Sequence, residues 1–295
     1  MEELELANQF DRQRPRLRAV AYRILGSLSE ADDAVQEAWL RLRRTDAQQI
    51  ESLERWLTTV VARICLNILR SRRTRAELPL DGFLPEPIVD DPAVGTDPEH
   101  KALLADSVGI ALQVVLGTLS PAERLAFVLH DMFGVPFDEI AAMADRSPEA
   151  TRQLASRARR RVREAAPPPD AALTRQRAVV DAYFVAAREG DLEALVAVLD
   201  PDVVLRAHRR DGDPLELHGP RRVARGAMTA RRFAPFVRPA LVNGSAGVVA
   251  FDGELPFAVL AFTVIGDRAV AIDVFNDPEL VAKLDIRGIT ARPAR

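Results

Sequence analysis

Apolar residues recur at helical spacing through the first quarter of the chain and again through its middle. Toward the end they give way to short β-rich runs. Over 28–44, Leu28, Ala31, Val35, Ala38, Trp39 and Leu42 share one face, which marks an amphipathic helix with Ser29 as the expected N-cap. The opposite face carries Asp33, Glu37 and Leu40, with Asp32 and Gln36 on its shoulder. A second helix is predicted over about 53–73, with Trp56, Val60, Val61, Ile64, Ile68 and Leu69 as its apolar positions. Arg55, Arg63, Asn67 and Arg70 occupy its polar positions, and it ends in the cluster Arg70-Ser71-Arg72-Arg73-Thr74-Arg75.

The middle of the chain predicts a helix-turn-helix. Ser120-Pro121-Ala122-Glu123 places a capping hydroxyl, a proline at the first helical position and a glutamate where it reaches back to the cap. That helix runs to about Met132, before Gly134. A short amphipathic helix follows over 136–144, then a tight turn at Asp145-Arg146-Ser147. Ser147-Pro148-Glu149-Ala150 repeats the cap and opens a helix to about Glu164. Leu154, Ala158 and Val162 mark its inner face. Glu149, Arg152, Gln153, Ser156, Arg160 and Arg163 mark the outer face, and Arg157, Arg159 and Arg161 crowd the same half. These are side chains that read base edges and phosphates.

The last block reads α+β: a helix over 173–188, a turn at Glu189-Gly190-Asp191 and a short helix to Leu199. Strand-like runs follow at 203–205, 240–242, 247–251, 257–264 and 269–275, interrupted by a helix over about 220–232. The order suggests helices packed into a curved antiparallel sheet, a cone-shaped half-barrel. Two breaks divide the chain. Residues 77–99 hold Pro79, Pro85, Pro87, Pro92 and Pro98 among acids, and Pro167-Pro168-Pro169 is a stiffer break. The divisions expected are 1–76, a linker 77–105, 106–166 and 172–288.

A net charge of −3 conceals local polarity. Residues 1–76 carry 14 Arg against 11 acids, whereas 77–105 carry 7 acids against Lys101 alone. Residues 106–166 balance at 8 and 8, with the arginines gathered at their end. Any nucleic-acid binding must come from such clusters, because the overall charge does not announce it. No apolar run approaches the roughly 18–20 residues of a membrane span, and the acidic start Met1-Glu2-Glu3 is unlike a signal peptide. Cys65 is the single cysteine, and the four histidines show no ligand spacing, so neither a disulfide framework nor a metal site is expected. No phosphate-binding glycine loop or dinucleotide fingerprint is present. The chain is expected in the cytoplasm, without a cofactor. In the last block Tyr183, His208, Asp211, His218 and Asp273 are the polar groups that a small-molecule pocket would use. They form no convincing acid–base couple, and no catalytic residue is assigned.

Arg23-Ile24-Leu25-Gly26 followed by Glu30-Ala31-Asp32-Asp33-Ala34-Val35-Gln36-Glu37-Ala38-Trp39-Leu40-Arg41-Leu42 resembles region 2 of the bacterial extracytoplasmic-function sigma factors. Arg55-Trp56-Leu57-Thr58-Thr59-Val60-Val61-Ala62-Arg63 and Asn67-Ile68-Leu69-Arg70-Ser71-Arg72-Arg73 continue that likeness, and 119–162 resembles region 4. The remainder resembles a subgroup with a SnoaL-like, NTF2-like C-terminal domain. Phe83-Leu84-Pro85-Glu86-Pro87 is similar to that subgroup's Trp-Leu-Pro-Glu-Pro linker motif, and Asn276-Asp277-Pro278-Glu279-Leu280 is similar to its Asn-Pro-Asp-Lys-Leu motif. His218-Gly219 and Val242-Asn243-Gly244 also fit. Asp211-Gly212-Asp213-Pro214 departs from the glycine-rich loop expected there.

The resemblance implies a multidomain chain: an all-α region 2 bundle, an all-α region 4 helix-turn-helix and an α+β NTF2-like cone. It implies that Asp32, Asp33, Gln36, Glu37 and Leu40 dock on the clamp helices of core RNA polymerase, and that the polymerase flap is a further partner. Arg55, Trp56, Arg63, Asn67 and Arg70 would bind the melted −10 strand. Glu149, Arg152, Gln153, Ser156, Arg157, Arg160 and Arg163 would read the −35 element. Phe83, Leu84, Pro85, Glu86 and Pro87, with Asn276, Asp277, Pro278 and Leu280, would couple the linker to the last domain. That domain would act as a fused regulator in place of a separate anti-sigma factor, with an unidentified small ligand open. Two alternatives stay open: a ligand-sensing DNA-binding regulator that works without polymerase, and an NTF2-like cyclase or isomerase fused to a DNA-binding module.

Overall fold

The computed structural model describes residues 3–46, 50–74, 85–93, 109–165, 172–208, 215–286 and 288–290. They fall into two compact units. The first takes residues up to 85 and 113–165, the second 86–93, 109–112 and 172–290.

The first unit begins with α1 (Glu3–Leu25), a helix that the sequence reading did not set apart. Its buried Leu6, Phe10, Leu17, Val20, Ala21 and Ile24 form one stripe, and Phe10 tilts against Trp39 at 4.9 Å between centroids. Helices α2 (Leu28–Arg44) and α3 (Leu53–Thr74) complete a bundle whose deepest residues include Tyr22, Leu25, Leu42, Leu57 and Leu66. The N-cap of α2 is Ser27, not Ser29. Gly26 takes φ 71° and ends α1, which leaves Ser27 extended with its Oγ accepting from the Glu30 N–H at 3.3 Å. Ser29 bonds to that hydroxyl instead, at 3.0 Å.

Helix α4 (Ile110–Thr118) leads into α5 (Pro121–Phe127), where the predicted capping box forms in full. The expected run to Met132 is completed by one wider, π-helical turn at Val128–Met132. Helix α6 (Phe137–Ala144) and α7 (Pro148–Ala165) are joined by Asp145 at φ 55°, a left-handed residue that makes the tight turn. The C-terminal carbonyls of α1 are satisfied from later helices. Gln113 donates to Tyr22 O at 2.8 Å, Arg124 to Arg23 O at 3.2 and 3.3 Å, and Arg72 to Leu25 O at 3.4 Å. Arg124 is 2% exposed. Its burial, with Arg72 nearby, pushes the guanidinium down to about 9.

The second unit is an α+β cone. Helices α8 (Leu173–Glu189), α9 (Leu192–Ala197) and α10 (Pro220–Thr229), with a 3-10 turn at Arg231–Phe236, pack on a seven-stranded sheet. The strands are β1 (Val89–Asp90), β2 (Leu199–His208), β3 (Leu215–His218), β4 (Val237–Val242), β5 (Ser245–Asp252), β6 (Leu255–Ile265) and β7 (Arg268–Phe275), in the order β1-β4-β5-β6-β7-β2-β3. The sheet is mixed rather than antiparallel. β2 and β7 pair in parallel, Arg206 opposite Asp273, because the chain returns to β2 only after α10 and the β4–β6 meander. Tyr183, Phe184 and Phe262 meet at 5.2–6.0 Å between centroids inside the cone, with Leu195, Val203 and Ile272 in the same cluster. A Cβ at Gly247 would lie 2.6 Å from the Leu260 carbonyl, so only glycine fits where β5 meets β6. The helix expected over 220–232 stops at Thr229, ahead of the tighter turn containing Pro235. Helix α11 (Pro278–Lys283) follows β7 and packs along β6.

Candidate functional site

Four surfaces carry the residues singled out in the sequence. On α2, Asp32, Asp33, Gln36, Glu37 and Leu40 are all exposed, Leu40 at 39%. Arg18 forks onto Asp32 at 2.7 and 3.1 Å, and Arg41 reaches Glu37 one turn back at 2.9 Å. Asp33 has no ion pair among the described residues. The face is acidic at its centre with one apolar residue at its edge.

On α3, Arg55, Arg63, Asn67 and Arg70 are exposed and Trp56 is half-buried. Two of these cations are already engaged by α6. Arg55 pairs with Glu139 at 3.2 Å, and Arg63 donates to the Ala142 carbonyl at 3.0 Å. No local pattern signals these contacts, because residues about 80 positions apart meet only in the folded packing of α3 against α6.

On α7, Glu149, Arg152, Gln153, Ser156, Arg157, Arg160 and Arg163 are exposed, while Leu154, Ala155 and Ala158 are buried; Val162, expected inside, is only half-buried. The structure sorts the arginine crowd. Arg157 and Arg161 pair with Glu123 at 3.6 and 3.3 Å, and Arg159 pairs with Asp131. These three tie α7 to α5 and its π-helical extension. Burial alone would raise the Glu123 carboxyl. The Ser120 hydroxyl and backbone N–H, with Arg161 and Arg157, outweigh it and hold the group below the ordinary carboxylate range. Arg152 lies 5.8 Å over the Phe137 ring, and Arg160 has no ion pair among the described residues. Arg160 lines a shallow open hollow with Ser156, Arg157, Arg163 and Glu164.

This sorting predicts opposite phenotypes for neighbouring arginines. Arg160→Ala should leave thermal melting unchanged and weaken DNA binding. The loss is about 1–3 kcal/mol at one base position if it reads a base edge, or a salt slope lower by about one if it holds a phosphate. Arg159→Ala should do the reverse, lowering the melting temperature with little change in the salt slope.

The fourth surface is a seam within the second unit. Phe83, Leu84 and the Asp211–Pro214 loop lie outside the described residues. Pro85 and Pro87 are buried and Glu86 is half-buried. Directly after them the linker becomes β1 and adds to the sheet, with Val89 opposite Val242 and Asp90 opposite Leu241. Asn243, 3% exposed and at φ 49°, fixes it twice: its Oδ1 accepts from Ile88 N–H at 3.0 Å, and its N–H donates to Ile88 O at 2.8 Å. Asp91 lies beside Gly288. The second motif proves to be a helix start. Asp277 caps α11 by accepting from the Glu279 and Leu280 N–H groups, Pro278 is its first residue, and Asn276 precedes it half-buried.

Among the described residues, the polar groups expected of a small-molecule pocket do not converge. Tyr183 packs in the aromatic cluster, where burial pushes its phenol well up. Asp273 is fully buried beside Arg206 at 3.4 Å, on the opposite face of β7 from the cluster residue Ile272. His218 is exposed and reaches Glu216 at 3.2 Å. Of His208 only the backbone, closing β2, is described.

The helices that carry the first three surfaces match known families. Residues 10–75 match Sigma-70 region 2, and residues 110–162 match Sigma-70, region 4. The ECF RNA polymerase sigma factor SigJ of Mycobacterium tuberculosis is 38% identical over 292 residues, covering 95% of this chain and 90% of SigJ. The probable ECF RNA polymerase sigma factor SigI of the same species is 34% identical over 268 residues, covering 90% and 91%. The crystal structure of SigJ superposes with a TM-score of 0.76 at 33% identity, covering 95% of this chain and all of that one. The chain belongs to the extracytoplasmic-function RNA polymerase sigma factors, with a C-terminal α+β domain. Its function is transcription initiation with core RNA polymerase on promoter DNA. Among the described residues, no helix is long and apolar enough to cross a membrane.

Proposed function

We propose that the α2 face of Asp32, Asp33, Gln36, Glu37 and Leu40 docks on the clamp helices of core polymerase, with the flap as a second contact. Arg55, Trp56, Arg63, Asn67 and Arg70 of α3 hold the melted −10 strand. Glu149, Arg152, Gln153, Ser156, Arg157, Arg160 and Arg163 of α7 face the −35 element, with Arg160 the cation best placed to contact DNA and Arg157 shared with Glu123. The observation that supports this most directly is the clean division of α2 and α7 into a buried apolar face and an exposed charged one.

In the free chain the Arg55–Glu139 and Arg63–Ala142 contacts lay α6 against the −10 surface. Core polymerase binds the opened arrangement and releases those cations, a shift it drives by its preference for that state. The C-terminal domain acts as a built-in regulator that grips the linker strand, without a separate anti-sigma factor. We assign it no catalytic role: among the described residues its polar groups do not converge, and the rings of Tyr183, Phe184 and Phe262 pack inside the cone. The protein works in the cytoplasm.

The test is in vitro transcription with purified core polymerase and a library of candidate promoters. The full chain should direct initiation from −35/−10 promoters, and a chain ending near residue 171 should initiate at a different level from the same start sites. No initiation by either form would overturn the assignment. Equal activity of the two would remove the regulatory role from the C-terminal domain.

A further inference from the structure

From Gly219 to Phe251 the chain carries six arginines and no acid, whereas the rest of residues 172–295 carries 11 bases against 16 acids. The six gather on adjoining elements. Arg221, Arg222 and Arg225 lie on α10, Arg231 and Arg232 on the following 3-10 turn, and Arg238 on β4. Helical geometry places Arg221, Arg222 and Arg225 within an arc of about 100°. Val223 and Ala224, on the other side of α10, are fully buried. All of these arginines are exposed except Arg238, which is half-buried.

Arginines on a surface are usually solvated, and three of the six have local work: Arg238 donates to the Val237 carbonyl at 2.8 Å. Arg221 pairs with Glu193 at 3.4 Å, and Arg231 lies against the turn at Gly190. Arg222, Arg225 and Arg232 have no carboxylate partner among the described residues. Arg232 lies over the Phe233 ring at 4.6 Å, and Phe233 in turn leans on Phe257 at 4.6 Å. That stack holds a guanidinium in a fixed place rather than leaving it to sample solvent. Phe236, 47% exposed, adds an apolar flank beside it. A guanidinium held on a ring, two neighbours without a carboxylate partner among the described residues, and a stretch of chain with six arginines and no acid suit a repeating polyanion.

We infer that the arginine surface of α10 and the Arg231–Phe236 turn is a third DNA-contacting site, one that binds the phosphate backbone without reading sequence. It goes beyond the region 2 and region 4 contacts, and it gives the C-terminal domain a direct hold on DNA. Arg222, Arg225 and Arg232 each take one phosphate, with Arg232 presented by the Phe233 ring.

The experiment uses the full chain carrying Arg222→Ala, Arg225→Ala and Arg232→Ala together, and a mixed-sequence DNA duplex as the probe, because backbone contacts do not depend on sequence. Dissociation constants are measured by fluorescence anisotropy across a salt series. Three lost phosphate contacts should lower the log–log salt slope by about 2.7, so the variant's deficit should shrink about 40-fold between about 50 and 200 mM salt. Thermal melting and affinity for core polymerase should match those of the unsubstituted chain, since the three side chains are exposed. An unchanged slope overturns the proposal. Weakened core binding with an unchanged slope also overturns it, and assigns the patch to an acidic protein surface. Binding to the duplex needs no polymerase, so this result stands apart from the success or failure of the transcription assay.

Discussion

Replacing Asp33 and Glu37 by arginine in one chain should abolish productive binding to core polymerase while leaving the fold intact. Both residues sit on the outward face of α2, opposite the buried Ala31, Ala34, Val35, Ala38 and Leu42. Exposed substitutions of this kind usually change stability by no more than about 0.5 kcal/mol. Glu37→Arg also places a cation one turn from Arg41, exchanging a 2.9 Å attractive pair for a repulsive one, at a further cost of a few tenths of a kcal/mol. At a docking face the same reversal meets a complementary partner, and like charges held together there cost several kcal/mol. A loss of about 3 kcal/mol corresponds to roughly a hundredfold weaker complex. The measurement is a core-polymerase pull-down with titration, paired with a thermal melt. Normal affinity in the double variant removes α2 from the polymerase interface. A collapsed melt would direct attention to Asp33→Ala and Glu37→Ala, which remove charge without adding repulsion and should still weaken the complex.

What was legible in the sequence was whatever depends on residues close together in the chain. The faces of α2 and α7, the capping box of Ser120 and Glu123 and the turn at Asp145 all follow from periodicity and short-range hydrogen bonding. The Ser27 cap was missed by two residues because Ser27 and Ser29 are equally good caps in isolation. Gly26 at φ 71° decides between them by ending α1 just before Ser27. The short strands β1 and β3 were missed for a different reason. Val89–Asp90 has only two residues, and Leu215–His218 is largely exposed, so neither shows alternation. Each is a strand only because a neighbouring strand supplies its hydrogen bonds. The parallel pairing of β2 with β7 is a property of chain return and has no local signature. For the site, the arginines of α7 were legible as a group, but their division between Glu123, Asp131 and solvent was not. That division depends on which carboxylates α5 and its π-helical extension hold in place. The same holds for Arg55 and Arg63, whose partners lie on a helix far along the chain.

Asn243 should prove to be the residue through which the C-terminal domain governs the linker. Its side chain is the acceptor for the buried Ile88 N–H, and its backbone holds φ 49°, where asparagine is tolerated and alanine is strained. Asn243→Ala removes that acceptor, at about 1–3 kcal/mol for a stranded buried donor, and adds about 1–2 kcal/mol of backbone strain. Asn243→Gly removes the acceptor but relieves the strain, so the difference between the two variants isolates the conformational part. Asp90→Pro attacks the same seam from the other side, by deleting the N–H that faces Leu241, since bonded pairs alternate along an antiparallel ladder and Ile88 with Asn243 is the preceding one. In each variant the amides of 86–91 should exchange faster with solvent while the strands β5 to β7 stay protected. The −35 and −10 contacts are two linked binding events, and the second depends on how the linker confines the distance between them. A linker pinned to β4 restricts that distance, so its release should raise promoter activity with purified core polymerase. Because Asn243→Ala and Asp90→Pro open one seam, their combination should fall short of the sum of the two by about 0.5–3 kcal/mol. Faster exchange at 86–91 without any change in transcription would mean that the linker strand anchors the C-terminal domain and does not regulate initiation.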